Sequence, residues 1–209
     1  MNCPEFFGPG YRRGVKRIAI AGGIGSGKSA ATAYLESKGY VVADADVAAR
    51  EVVEKGKPAW QALRDAFGDA VLTSNGDLDR QFLADVAFND ASALKRLNHI
   101  THGAIGLALN DVIASATTGA VFVALPLFRP EHRAIFSLDE AWAIEVEPEI
   151  ALDRLVRLRS MSDADARARL SRQMTNGERE AIVDVVLTNN DSLSELHQKI
   201  DAQLERSGL

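Results

Sequence analysis

Short apolar runs alternate with longer amphipathic stretches along this chain. Ile18-Ala19-Ile20-Ala21, Tyr40-Val41-Val42-Ala43, Gly119 to Leu125, Ala141 to Val146 and Val183 to Thr188 are each four to seven residues long. Their length and the turn residues around them mark them as strands buried on both faces. Helical spacing fills the intervals. Ala30 to Glu36 ends at Lys38-Gly39, and a helix over Val47 to Glu54 follows the second strand. Lys57-Pro58 opens a helix that Phe67-Gly68 closes, and Ser74-Asn75-Gly76-Asp77 is a turn. Leu78-Asp79-Arg80 leads into the next helix. A further pattern through Leu94, Leu97, Ile100, Ile105, Leu109 and Ile113 starts at Asp90 or Ser92. Residues 56–116 therefore hold no strand and read as a helical insertion. Pro148 opens a late helical stretch, and Ser192 to Arg206 closes the chain. Strands alternating with helices predict a parallel sheet with right-handed crossovers.

The first strand runs into Gly22-Gly23-Ile24-Gly25-Ser26-Gly27-Lys28-Ser29, and a helix follows. Strand, G-x-x-x-x-G-K-S and helix in that order is the setting of a phosphate-binding loop. Glycines bring backbone N–H groups close to phosphate oxygens, and the helix N-terminus adds partial positive charge. Lys28 can reach the β- and γ-phosphates, and the Ser29 hydroxyl can ligate Mg²⁺. The second strand ends in Asp44-Ala45-Asp46. In an extended segment these two carboxylates share a face at the carboxyl end of a strand, where open α/β sheets bind ligands. Asp44 can instead cap the following helix. The expectation is that one aspartate caps and Asp46 does the chemistry.

Composition narrows the class. With 209 residues and 46% apolar side chains, the chain suits one sizeable α/β core with inserted parts. A net charge of −5 argues against a dedicated nucleic-acid binder. The single cysteine, Cys3, allows no intrachain disulfide and reads as incidental. No apolar run approaches the ~20 residues of a membrane span. Met1 to Gly14 carries prolines and glycines but no apolar segment of a secretory signal, so a cytoplasmic protein with a flexible N-terminal extension over 1–14 is expected. Residues 149–180 hold Arg154, Arg157, Arg159, Arg167, Arg169, Arg172 and Arg179 interspersed with acids. Most suit a solvated face, and about two suit a phosphoryl-transfer site.

The ordered series of motifs resembles the dephospho-coenzyme A kinase family over nearly everything after Val15. The series runs from Gly22–Ser29 to Val42-Ala43-Asp44-Ala45-Asp46 with Arg50, then Gly76-Asp77-Leu78-Asp79-Arg80 and Leu83. It continues through Val86-Ala87-Phe88, Leu97-Asn98-His99-Ile100-Thr101-His102 and Pro126-Leu127 to Arg154-Leu155, Arg159, Arg169, Gln173, Asp184 and Asn189. The resemblance implies an α/β fold: a three-layer, parallel five-stranded P-loop kinase core over 15–55 and 117–209, a helical CoA-binding insertion over 56–116 and a small lid at about 155–180. It implies transfer of the γ-phosphate of ATP, with Mg²⁺, to the ribose 3′-hydroxyl of dephospho-CoA. Gly23, Ile24, Gly25, Ser26, Gly27, Lys28, Ser29, Ala30 and Arg154 would hold the nucleotide, with Ser29 on the metal. Lys28, Asp46 and Arg159 would be catalytic, Arg159 from the lid. Asp44, Arg50, Arg80 and His102 would face dephospho-CoA, although His102 also suits helix packing and Arg80 a pairing with Asp77 or Asp79. The expected partner is the small-molecule substrate, with no nucleic acid or membrane, in a monomer or weak homo-oligomer.

Several positions depart from the family pattern. Ala30 replaces the threonine after the phosphate-loop serine, and Gly103 the proline after His102. The segment usually read Asp-x-Pro-Leu-Leu-x-Glu is Ala124-Leu125-Pro126-Leu127-Phe128-Arg129-Pro130, whose glutamate is absent unless Glu131 shifts into its place. Two other readings fit the residues: another P-loop nucleoside or nucleotide kinase, and a nucleotide-binding regulator without turnover.

Overall fold

A computed structural model describes residues 14–117 and 119–209. The expectations for Cys3 and for residues 1–13 lie outside the described residues. The chain divides into two compact units. One is helical and spans Asp44–Asp111; the other contains the sheet and joins the described part of the segment up to Ala43 with Val112–Leu209.

The sheet has five parallel strands: β1 (Lys16–Ala21), β2 (Val41–Asp44), β3 (Ala120–Ala124), β4 (Glu140–Glu145) and β5 (Val185–Thr188), in the order β2-β3-β1-β4-β5. Register is set by side-chain alternation. Ile18 and Ile20 of β1, Phe122 of β3, Trp142 and Ile144 of β4 and Leu187 of β5 point to one face. There they pack with Ala31 and Leu35 of α1 (Lys28–Ser37) and with Leu196, Ile200 and Leu204 of α10 (Leu193–Arg206). The alternate positions Ala19, Ala21, Val121, Val123, Ala141 and Ala143 are also fully buried, so both faces are covered. Phe122 stacks edge-on between Tyr40 and Trp142, which locks the centre of that face.

The connection after β1 leads toward β2, and the one after β4 leads to β5. β1 and β4 are neighbours, paired Ile20 with Trp142 and Ala21 with Ala143. Such a reversal opens a crevice at the carboxyl ends of the two strands, the usual ligand position of an open α/β sheet. The rest of this unit is α6 (Glu131–Phe136), α7 (Pro148–Arg159), α8 (Asp163–Leu170) and α9 (Asn176–Glu180). Thr175 and Glu178 form a capping box at the start of α9, and Ser192 and Glu195 form one at the start of α10. Helix α6 has no counterpart in the expectations above. It is too short for periodicity to announce it, and a proline precedes it.

The helical unit comprises α2 (Ala45–Glu51), α3 (Pro58–Phe67), a 3₁₀ turn (Asp69–Val71), α4 (Arg80–Asn89) and α5 (Ala91–Ser115) as far as Asp111. Trp60, Leu63, Val71 and Leu83 are buried within it. A bridge between Leu72 and Leu78 closes the turn at Ser74–Asp77, and the Trp60 indole donates to the Gly76 carbonyl at 3.1 Å. The side chains of Asp79 and Asp90 accept from Phe82 N and Ser92 N and start the last two helices.

Candidate active site

The phosphate loop leaves the carboxyl end of β1 and ends at Gly27, which takes a left-handed conformation (φ 94°) and begins α1. Lys28 is the first residue of that helix and Ser29 the second, exposed in its first turn. Four segments of the sheet-containing unit reach this loop. Asn189, just past β5, is buried and donates its Nδ2 to the Ser26 carbonyl at 2.7 Å. A side chain on Gly27 would run into that amide. Arg154 of α7 donates to the Gly25 carbonyl at 3.3 Å and to the Asn189 carbonyl at 2.8 Å, tying the loop to the end of β5. Gln173, between α8 and α9, accepts the Ile24 N–H at 2.8 Å. Arg179 of α9 pairs through two guanidinium nitrogens with the carboxylate of Glu145, the last residue of β4.

That pair is buried, with side-chain exposures of 9% and 6%. Burial pushes the Glu145 carboxyl above its ordinary pKa, and the Arg179 guanidinium opposes the rise. The charge of Arg179 is therefore matched within the protein. Its contribution to the loop is support, in contrast to a solvated face. Arg167, paired with Asp163 one turn away at 2.6 Å and exposed, does have the surface character expected of this stretch. Arg159 is in the last turn of α7 and exposed.

Ala124, the last residue of β3, is fully buried, and Glu131 is the first residue of α6. Glu131 lines a cavity of about 460 Å³ together with Arg129, Arg172, Gln173 and Glu178. Gln173 thus touches both the phosphate loop and this cavity.

The remaining expected site residues belong to the helical unit. The alternation argument for Asp44 and Asp46 does not hold, because α2 begins at Ala45. Asp44 is the last residue of β2 and the cap of α2. Its Oδ1 accepts from Asp46 N at 2.7 Å and from Val47 N at 3.2 Å. Asp46 is exposed in the first turn of the helix that Asp44 caps. Arg50, in the last turn of α2, and Arg80, the first residue of α4, line one cavity of about 290 Å³. Its floor includes the buried Leu63 and Leu83, and its lining also contains Lys55 and Thr101. His102 is exposed on α5 and is not among the residues of that lining; its neighbour Thr101 is.

Lys55, Gln173, Arg179 and Glu145 are the residues that sequence reasoning did not single out for the site. Gln173 stands in the motif series without a local signal of its own, and Glu145 reads as one more residue of a buried strand. Only tertiary contacts mark them: Gln173 on the Ile24 N–H, Glu145 on Arg179, and Lys55 in the lining shared with Arg50 and Arg80. Among the described residues, no group of three or more His, Cys, Asp or Glu side chains could hold a metal, and no helix is long and apolar enough to cross a membrane.

Comparison with known proteins agrees with this geometry. A dephospho-CoA kinase from Streptomyces avermitilis is 39% identical over 184 residues, which cover 88% of this chain and 90% of that protein. A dephospho-CoA kinase from Mycolicibacterium paratuberculosis is 40% identical over 185 residues, but the chain spans only 45% of that longer relative. Among solved structures, TT1252 from Thermus thermophilus superposes with a TM-score of 0.78 at 29% identity, covering 93% of this chain and 98% of that one. The sequence profile of dephospho-CoA kinase matches residues 16–195, and the chain belongs to the dephospho-CoA kinase family.

Proposed function

We propose that this chain transfers the γ-phosphate of ATP to the ribose 3′-hydroxyl of dephospho-CoA, giving CoA and ADP in the last step of CoA synthesis. The observation that carries this reading is the complete phosphate loop at the β1–β4 crevice, braced from β4, β5, α7 and the α8–α9 segment, in a chain of this family. The acceptor oxygen attacks the γ-phosphorus and the bond from that phosphorus to the β,γ-bridging oxygen breaks. The hydroxyl proton passes to Asp46, the general base. Residues Gly23 to Ala30 and Arg154 hold the nucleotide. Lys28 and Arg159 oppose the charge that develops on the transferring group. Asp44, Arg50, Arg80 and His102 serve the acceptor side, the last two from a CoA-binding insertion over 56–116, and residues of about 155–180 act as the lid.

Magnesium takes most of its ligands from phosphate oxygens and water in such sites, so a single protein hydroxyl suffices. Ser29, exposed in the first turn of α1, fits that requirement. The ion would supply charge neutralisation on the phosphates. The protein is proposed to work in the cytoplasm as a monomer or weak homo-oligomer, with neither nucleic acid nor membrane as partner.

Purified protein with MgATP should release ADP in proportion to added dephospho-CoA and negligibly without it. Ala124, apolar at the end of β3 where family members carry an acid, favours a second reading: nucleotide binding without turnover. Tight ATP binding with no dephospho-CoA-dependent ADP release would select that reading. Release with nucleosides in place of dephospho-CoA would select another acceptor.

A further inference from the structure

Gln173, like Asn189, is a residue whose side-chain amide orientation the phosphate loop itself dictates. A backbone N–H can only donate, so the amide end that meets Ile24 N at 2.8 Å must be the oxygen. The planar amide then directs Nε2 away from Ile24, and no described residue accepts a hydrogen bond from it. Gln173 also lines the 460 Å³ cavity, whose lining includes Arg129 and Arg172. Two carboxylates, Glu131 and Glu178, share that lining. The Glu178 carboxylate is engaged at the α9 cap, where it accepts from Thr175 N at 2.8 Å.

The approach of this segment to the loop is close. A Cβ built on Gly23 would stand 3.1 Å from Gln173 Oε1 and 3.3 Å from Arg179 Nη2. Arg179 is in turn anchored to Glu145 at the end of β4. The α8–α9 segment is thus clamped onto Gly23 and Ile24, the limb of the loop that precedes Lys28 in the chain.

We infer that Gln173 is a further phosphate-handling residue. Its Oε1 holds the Ile24 limb in place, and its Nε2 donates to an oxygen of the nucleotide's terminal phosphate. This rests on the proposed use of ATP. It predicts that Gln173 distinguishes ATP from ADP, because only ATP presents that phosphate.

The test is calorimetric titration of MgATP and MgADP into wild type, Gln173→Glu and Gln173→Ala, with thermal melts and steady-state kinetics on the same samples. Gln173→Glu keeps an acceptor for Ile24 N–H but replaces the donor by a negative charge. It should weaken ATP by about tenfold or more while changing ADP by less than about threefold, since like charges meet only with the longer nucleotide. Gln173→Ala should weaken ATP relative to ADP by a smaller factor and lower kcat with dephospho-CoA. An unchanged ATP/ADP affinity ratio in both variants overturns the inference, whatever happens to the melting temperature, because a purely structural prop would affect both nucleotides alike. Wild type that binds ATP but does not turn over dephospho-CoA would sink the acceptor assignment alone; the nucleotide ratio would still decide the role of Gln173.

Discussion

The side chains that touch the phosphate loop come from 129 to 163 residues away: Arg154 on Gly25, Gln173 on Ile24 and Asn189 on Ser26. In the helical unit the characteristic side-chain bonds are short in sequence. Asp44 reaches Asp46 two residues on, Asp79 reaches Phe82 three on, and Arg64 reaches Asp69 five on. The longer ones, Trp60 to Gly76 and Lys55 to Asn75, span 16 and 20 residues. A local cap or turn forms with little loop-closure entropy, whereas bracing the phosphate loop requires the whole sheet to be closed first. The loop geometry is thus a property of the folded α/β unit as a whole. Locally bonded segments of this kind are the ones expected to open and re-form in parts, which is the contrast the substitutions below test.

Four substitutions test that contrast, in decreasing order of expected effect. Lys28→Ala should abolish phosphoryl transfer. It removes the charge proposed to oppose the transferring group from a half-exposed position, so the melting temperature should stay near wild type. Turnover within tenfold of wild type would overturn the mechanism. Arg179→Ala comes next. It leaves the Glu145 carboxylate buried without its partner, and breaking a buried pair in this way costs about 3–5 kcal/mol. Urea unfolding should report that loss together with weakened ATP binding; a loss below about 1 kcal/mol would mean that the pair does not brace the loop.

Asp46→Asn should lower kcat by about 10² or more while ATP and dephospho-CoA bind within a few-fold of wild type, because the amide keeps the size but cannot take the proton. Single-turnover phosphorylation beside equilibrium binding measures this. An unchanged single-turnover rate would remove Asp46 as the base. The smallest effect belongs to the local side of the contrast. Asp79→Ala deletes the cap of α4 and should cost about 1 kcal/mol. Amide exchange should speed up in α4 while ATP affinity is unchanged; an equal effect on ATP binding would show that the helical unit is as global in its stability as the loop.

Among the individual residues, legibility follows the range of the interaction. Asp79 and Asp90 at their caps, Pro58 at the start of α3 and Gly68 just past its end (φ 79°) have neighbours in sequence that explain them. The start of β5 is less clear: the sequence reading begins the strand at Val183, yet it begins at Val185, and the Asp184 side chain turns to accept from Ala141 N at 2.7 Å. The shared-face alternation of Asp44 and Asp46 fails for a related reason, while the alternative, that Asp44 caps the following helix, holds. Asp44 caps so effectively that the helix begins one residue after the strand, and the extended geometry that would align the two carboxylates does not occur.

By itself, the amino-acid sequence determined the alternation of apolar runs and helical stretches, and with it the five-stranded parallel sheet. It also determined the phosphate loop, since glycine spacing, Lys28 and Ser29 act over eight consecutive positions. Only the tertiary structure decided that Gln173, Arg179 and Glu145 support that loop, and that Arg50 and Arg80 share a cavity while His102 does not line it. The physical reason is that backbone preference and periodicity are written in neighbouring residues. The partner of a buried carboxylate or of a loop N–H is chosen by which elements the packed sheet brings together.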